Sequence, residues 1–582
     1  MSPVSGTGAA PVRRAAVGHR IAGAAALIAA LTVVSRAAGF GRTMVFAWAI
    51  GDNDLGDIYL AANQIPNIVF EIVAGGALAS LVVPLLAGPI AGGDRAAVAR
   101  TVSGLLTWTL SLLIPLAVLT AAGADLIIGW LDANPSAVQA EVGAGMLRIF
   151  APQLPLYGVG IVLVGVLQAH RRFAWPVLAP LLSSVTVAGA YLLFAVDGGR
   201  GRDAATVSRS GELILAVGTT VGVAVLALCL VVPVRTLRLP LRIRYRFDGD
   251  VRRRVRGLAV AGAVTVAAQQ LALLVVLKRG MDGPDGTWVR FVLAQAVFLL
   301  PWAVLAVPVA TAAYPGLAEA AATGRQDRYR GSLAAAARAV LLLTGLGAAA
   351  LIALARPGAG LLAAVMPGAS IGTVDPLAAG ITCLAPGLLG YGLFALLSRA
   401  LYARGDTAAA AAATAVGWAV TATAAVLLSW ALPDADRVAA LTGAMSVGMT
   451  MLGAGLLVMV ARRAGRAALA GVGRALAASV AAAAAAAATG YAVAAAMLPA
   501  GDHPPGTAVL IGSGMLSGVV VGAVFAAVAW ALDRRDARPM AAAVARRLRR
   551  GGARLAQCRA ATRRRRAARR DGADAGTEEA RG

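Results

Sequence analysis

Two arginines stand inside an otherwise apolar stretch near the start of the chain, in Ser35-Arg36-Ala37-Ala38-Gly39-Phe40-Gly41-Arg42. A charge at the centre of a bilayer costs roughly 2.5–3.5 kcal/mol on insertion scales, so such a residue faces a cavity or a partner. A guanidinium presents a rigid fork of donors that matches phosphate oxygens two at a time, which suits an anionic headgroup. On an ideal helix, positions six apart point about 240° around the axis and do not share a face. Gly39 and Gly41 weaken the helix between them and are the expected hinge: a bend or unwinding there would turn both arginines into one cavity. Glu71, in Asn67-Ile68-Val69-Phe70-Glu71, is the expected carboxylate that tunes or gates them. The competing reading is a purely structural Arg–Glu pair, or Arg42 snorkelling toward an interface. Gln269 and Gln270, Gln295 and Asn63 are the further polar side chains expected to line a cavity, whereas Arg148, Arg290, Arg338 and Arg399 lie nearer helix ends, where snorkelling accounts for them. The apolar runs hold scarcely another carboxylate, which argues against a cation site.

No catalytic or metal centre emerges. Cys229, Cys383 and Cys558 have no metal or disulfide spacing, and His19, His170 and His503 fall at or beyond the ends of apolar runs. Lys278 is the only lysine and is preceded by Leu277, so no Walker-type phosphate loop exists. The expectation is a protein without enzymatic chemistry, cofactor or metal.

The elements that must hold these residues are membrane helices. Of 582 residues 59% are hydrophobic and 14% charged, against roughly half and a quarter in soluble proteins. Apolar runs long enough to span recur along the whole chain and predict an all-α polytopic protein of about fourteen helices. The net charge of +25 follows the positive-inside rule: Arg95 and Arg100, Arg171 and Arg172, the nine arginines of 235–256, Arg325, Arg328 and Arg330, Arg404, and Arg462 to Arg474 fall on alternate connections. The intervening connections are acidic, with Asp52, Asp54, Asp57, Asp125, Asp132, Glu141, Asp434 and Asp436. Arg200, Arg202, Arg209, Lys278, Arg279, Arg356 and Arg437 are the exceptions. Both tails are therefore expected in the cytoplasm, with the polar start read as a retained tail and not a signal peptide. The arginine-rich tail directly follows a membrane helix and is expected to lie on anionic lipid, not on nucleic acid.

An internal repeat organises the helices. Ala151-Pro152-Gln153-Leu154-Pro155-Leu156-Tyr157-Gly158 matches Ala385-Pro386-Gly387-Leu388-Leu389-Gly390-Tyr391-Gly392, and nearly the same offset carries Asp94-Arg95 onto Asp327-Arg328. The predicted organisation is a tail (1–20), a six-helix lobe (21–234), a basic linker (235–256), a second six-helix lobe (257–461), two further helices (475–531) and a basic tail (532–582). Two lobes of like orientation leave a cleft between them, the natural place for a substrate in alternating access. A lipid-linked pyrophosphate sugar fits a positive cleft, its head crossing inside while its tail stays in lipid. An inside-negative potential favours outward movement of such a head by about 2.3 kcal/mol per charge per 100 mV.

The chain resembles the MurJ/MviN lipid II flippases of the multidrug/oligosaccharidyl-lipid/polysaccharide exporter superfamily. The resemblance is carried by Ser35 to Arg42; Asp57 through Ile65-Pro66-Asn67 to Gly76-Ala77 and Val83-Pro84; Arg172-Phe173-Ala174 with Pro176 and Pro180; Leu300-Pro301 to Pro315; and Tyr402-Ala403-Arg404-Gly405-Asp406-Thr407. It implies two lobes around a cationic cavity in the bacterial inner membrane, movement of lipid II to the outer leaflet, and association with cell-wall synthesis proteins. It also implies that Arg36 and Arg42 are cavity arginines and that Asp57 is an acidic residue near the outer gate. Where many members carry an arginine pair after Pro-Asn, this chain has Phe70 and Glu71; where they carry an arginine before Leu-Pro, it has Ala296. The alternatives are a flippase for another lipid-linked glycan, a drug/cation antiporter of the superfamily, and a non-transporting scaffold.

Overall fold

A computed structural model describes residues 31–245, 249–498 and 506–534, with side chains described except at 74–80, 249–264 and 371. The tails expected at 1–20 and beyond 534 lie outside the described residues. Among the described residues the structure is helical, without strands. In the first half, α1 covers 31–49 and is followed by α2 (Asp54–Phe70), α3 (Gly76–Ala91), α4 (Arg95–Ala122), α5 (Ala124–Leu131), α6 (Ala137–Phe150), α7 (Gln153–Ala169), α8 (Ala174–Phe194), α9 (Arg209–Leu228) and α10 (Val231–Arg235). The second half has α11 (Gly249–Met281), α12 (Thr287–Pro301), α13 (Val307–Ala322), α14 (Gln326–Ala353), α15 (Ala355–Ala363), α16 (Ile371–Leu384), α17 (Gly387–Ala403), α18 (Thr407–Ala431) and α19 (Arg437–Ala464), then α20 (Val472–Met497) and α21 (Thr507–Leu532).

Ten helices among the described residues are long and apolar enough to cross a membrane, or eleven when the bent pair α16–α17 is taken as one span. Helices also occupy the positions of the three other expected spans, at 31–49, Asp54–Ala91 and Gly249–Met281, which fall outside that count. Packing divides the chain into two bundles. In the first, α9 packs on α6, α7 and α8, and α7 on α3 and α4; in the second, α19 packs on α16, α17 and α18, and α14 on α13 and α17. The pair α20–α21 lies against α14, and α21 also touches α15. Contact between the bundles runs mainly through α11, which packs along α3 and the turn before it, and through α12 against α2.

The repeat has structural consequences. Ala151-Pro152 and Ala385-Pro386 each sit at a break between two helices, and the second break bends its pair by 45°. Proline removes a backbone donor and clashes with the preceding turn, so the same dipeptide interrupts the same span in each half. A second symmetric feature was not expected. A π turn at Glu71–Gly75 joins α2 to α3, and a π turn at Trp302–Ala306 joins α12 to α13. Asp94 and Asp327 differ slightly: Asp94 caps α4, its carboxylate accepting from Ala97 N at 2.8 Å, while Asp327 lies inside the first turn of α14.

Small residues let the helices of the second bundle meet at backbone distance, as is usual where lipid supplies no hydrophobic drive between helices. A Cβ on Gly390 would lie 2.2 Å from the Met449 carbonyl oxygen, and one on Gly453 would lie 2.7 Å from Gly390 Cα. Nothing lies within 4 Å of a Cβ added to Gly189. Gly390→Ala is therefore expected to destabilise by about 1–3 kcal/mol through overpacking, whereas Gly189→Ala gains up to about 1 kcal/mol of helix propensity. Opposite shifts of the melting temperature in detergent check this.

Candidate functional site

The two bundles also meet at the end of the molecule that carries the acidic connections. Gly286, at φ +81°, turns the chain into α12, and that helix has no side-chain cap of its own. The first backbone N–H groups of a helix need acceptors. Here the acceptor comes from the other bundle: Gly286 N donates to Asp57 Oδ2 at 2.7 Å and Val289 N to Asp57 Oδ1 at 2.8 Å. Asp57, 5% exposed on the first turn of α2, thus caps a helix of the opposite lobe. A helix cap contributes about 1 kcal/mol, so the joint is firm yet breakable.

Neighbouring contacts close the same seam. Arg290 Nε meets Asp52 Oδ2 at 2.8 Å, with the two side chains 15% and 9% exposed. Lys278 of α11 lies 5.8 Å from the Trp130 ring on α5 while pairing with Asp282 at 2.7 Å. A Cβ on Gly286 would fall 2.1 Å from the Asp52 carbonyl oxygen, so only glycine permits this approach, quite apart from its positive φ. Pro367, after α15, sits against Gly51 and Gly201, whose added Cβ atoms would come within 3.3 and 2.7 Å of its ring. The loop holding Gly201 is itself fastened to the start of α2: Asn53 Nδ2 donates to Arg202 O at 2.9 Å, and Ala204 N donates to Asp54 Oδ1 at 3.1 Å.

Beside the seam is a cavity of about 190 Å³ lined by Asp54, Asp57, Asp132, Asp282 and Asp285. Burial, with repulsion from Asp54 and Asp132, pushes the Asp285 carboxyl in the loop before α12 above the usual carboxylate range. Among the described residues no group of three or more His, Cys, Asp or Glu is placed to hold a metal.

The arginines of α1 are arranged differently from expectation. The helix runs unbroken from 31 to 49 through Gly39 and Gly41, so no unwinding turns Arg36 and Arg42 to one side. Both glycines face open space. Arg36 is exposed, while Arg42 is half-buried and within electrostatic reach of Tyr59, Tyr157 and Tyr191. Behind Arg42, the Tyr59 hydroxyl bonds to Tyr191 at 2.9 Å and to Thr219 at 2.5 Å. Glu71 is not the partner of either arginine: among the described residues no ion pair joins them. Its place as the first residue of the π turn, which packs on α11, directs that stretch toward the other bundle. Gln270 is 8% exposed with its Oε1 unpartnered, as is Oδ1 of Asn63. Gln269 is half-buried, and Gln295 Nε2 approaches Met445 Sδ at 3.7 Å. An apolar groove of about 650 Å³ separates α1 from α12, with Phe40, Met44 and Trp48 on one side and Val297 and Leu300 on the other.

Arg290 corrects the sequence reading, because it pairs across the bundles instead of snorkelling. The seven basic exceptions at this end are tied down: Arg209, Lys278, Arg279, Arg356 and Arg437 have carboxylate partners, Arg200 donates to Trp48 O at 3.2 Å, and Arg202 to Gly198 O at 3.4 Å. Asp52 and the two α12 amides were missed as site groups. Their only trace in sequence is a cluster of aspartates at one helix start and a Gly-Thr helix start in the other half.

This architecture is that of the multidrug and lipid-exporter transporters. The fold matches a solved structure of lipid II flippase MurJ in an inward closed conformation with a TM-score of 0.66 at 18% identity, covering 86% of this chain and 98% of that one. It also matches an inward-facing transporter of the multidrug resistance MATE family with a TM-score of 0.60 at 14% identity, covering 74% and 94%. The family described as lipid II flippase MurJ matches residues 46–503, and the chain belongs to that family. Relatives include a probable lipid II flippase MurJ of Rhizobium tropici, 26% identical over 50% of this chain and 54% of the relative, and the lipid II flippase MurJ of Burkholderia cenocepacia, 26% identical over 57% and 63%. The chain thus spans little more than half the length of these curated relatives. It is a multi-pass protein of the bacterial inner membrane.

Asp57→Ala and Gly286→Ala should each loosen the acidic end. With engineered cysteines across the seam in a background lacking the native ones, crosslinking yield should fall severalfold in both variants, while Asp57→Glu keeps part of it. A carboxyl held above its ordinary pKa in the closed form disfavours that form once ionised, so closure is strongest at low pH and weakens as pH rises through the raised value. Asp285→Asn should flatten this dependence of crosslinking on pH.

Proposed function

We propose that this chain moves lipid II, the undecaprenyl-pyrophosphate-linked peptidoglycan precursor, from the inner to the outer leaflet by alternating access between its two bundles. Membership of the MurJ family across residues 46–503 carries the reading most directly. The acidic end faces outward and the arginine-rich connections inward, placing both termini in the cytoplasm and the basic tail on anionic lipid. In this orientation the structure is closed outward, with Asp57 as the bolt.

The headgroup enters from the inner side and meets the arginines of α1 in turn. Six residues of helix separate Arg36 from Arg42 by about 9 Å along the axis, with Arg36 nearer the cytoplasm. They grip the pyrophosphate successively, not as one clamp, because the helix between them stays intact. Tyr59 and Tyr191 support the Arg42 end. The groove between α1 and α12 lets an apolar tail remain in lipid while the head is inside. Rocking is taken up at the paired π turns, whose looser backbone bonding makes them better hinges than Gly39 and Gly41; Glu71 at the first of them tunes the gate. Release outward requires Asp57 to let go of Gly286 and Val289.

A second reading, cation-coupled drug efflux, draws on the fold shared with MATE transporters. The arginines of α1 weigh against it.

The chain is expected to restore growth to a strain depleted of its own lipid II flippase, and to raise the outer-leaflet lipid II open to an externally added reagent. Failure of the unaltered chain on both counts would overturn the reading. Arg36→Ala and Arg42→Ala should each abolish rescue at normal membrane levels, and Glu71→Gln should reduce it less. Full rescue by both arginine variants would remove the phosphate-gripping mechanism.

A further inference from the structure

The linker after α10 does not hang free. Its alternating sequence, Leu237-Arg238-Leu239-Pro240-Leu241-Arg242-Ile243-Arg244-Tyr245, runs along the flank of α4. Arg242 N donates to Ser103 Oγ at 3.1 Å, Arg244 N to Thr107 Oγ1 at 3.0 Å, and the Tyr245 hydroxyl meets Ser111 Oγ at 2.8 Å. Trp108 Nε1 donates to Tyr245 O at 2.9 Å and its ring meets that of Tyr245 edge-on. The match has a simple metric cause. Two residues of extended chain rise about 6.6 Å, and four residues of helix about 6 Å, so every second linker amide meets every fourth helix position.

Fastened in this way, the strap presents groups that the described residues leave uncovered. Ile243 is 84% exposed, and Leu241 and Tyr245 are exposed beside it. Together with Leu106 and Leu110 of α4 they border a groove of about 330 Å³. Arg242 is exposed at the rim of that groove, and its guanidinium has no partner among the described residues. The strap covers Ser103 to Ser111, which begin two turns inside the Arg95 end of an apolar, 28-residue helix. This is the depth at which lipid headgroups give way to acyl chains. An uncovered guanidinium over an apolar groove at that level complements a lipid with a negative head and a hydrocarbon tail. The position also selects among such lipids: α4 packs on α3, α6 and α7, on the flank of the first bundle and away from the α1–α12 groove.

We propose that the strap and α4 form a binding site for an anionic phospholipid of the leaflet at the arginine-rich end, its phosphate on Arg242 and an acyl chain in the groove bordered by Leu241 and Ile243. The site lies outside the transport path and does not depend on which lipid-linked glycan is moved.

Trp108 supplies the probe. The full chain is reconstituted in phosphatidylcholine vesicles containing either brominated phosphatidylglycerol or brominated phosphatidylcholine, and the quenching that disappears in Trp108→Phe is compared. One arginine near an anionic surface corresponds to about fivefold preference, so phosphatidylglycerol should quench about fivefold more effectively. Arg242→Gln should bring the ratio to one with an unchanged melting temperature, and Ser103→Ala/Thr107→Ala, which releases the strap, should lower it as well. Equal quenching by the two lipids in the unaltered chain overturns the proposal. So does displacement of phosphatidylglycerol by equimolar undecaprenyl pyrophosphate, which would make the groove a substrate site.

Discussion

One carboxylate holding two backbone amides of another bundle is the constraint on which the arrangement turns. Asp57 completes the first turn of α12, so the end of that helix is finished only when the bundles are together. A cap within one bundle would be indifferent to their separation. A cap between them gives separation a definite cost, that of breaking both hydrogen bonds. Asp52–Arg290 and Lys278–Trp130 add to the same seam from neighbouring positions, so removing any one leaves a weakened closure and not an open one.

The rest of the molecule provides bodies stiff enough for such a bolt to act on. Helices α17 and α19 touch through glycines, and loops at the acidic end are fastened by Asn53, Asp54 and Pro367. Helix geometry is interrupted in a few places: the Ala-Pro breaks, the π turns at Glu71–Gly75 and Trp302–Ala306 that occupy matching positions in the two halves, and a further π turn at Ala195–Gly199 in the first half alone. Glycines in α1 are not among them. Glycine in a helix lowers the cost of bending but does not require it, and with open space around Gly39 and Gly41 nothing forces α1 to bend.

Much of this was legible in the residues. Apolar run length gave the helical class, and Ala151-Pro152 with Ala385-Pro386 marked the repeat because proline acts on its own helix, independently of what surrounds it. Asp57 was reached only through family resemblance, and its partners were not reached at all, because backbone amides carry no signature in sequence and Gly286 lies 229 positions away. Glu71 was misjudged for a related reason: a carboxylate and an arginine in adjacent spans look paired in sequence, but no ion pair joins Glu71 to Arg36 or Arg42 among the described residues, and Glu71 instead opens the π turn that packs on α11. The cations at the acidic end looked like violations of a charge rule. Their partners, often three or four residues off or across a loop, leave most of them locally neutralised.

The two halves share a positive-φ glycine ahead of their second helix, Gly51 in one and Gly286 in the other. If the halves were interchangeable, each glycine would meet the same neighbour, and the joint would be made twice around a pseudo-twofold axis. Instead Gly286 meets Asp52 and the carboxylate beside it, whereas Gly51 meets Pro367, a contact of shape without charge. Duplication has therefore left a charged joint on one side of the axis and a contact of shape alone on the other, and an architecture of matched halves meets through an unmatched pair of contacts.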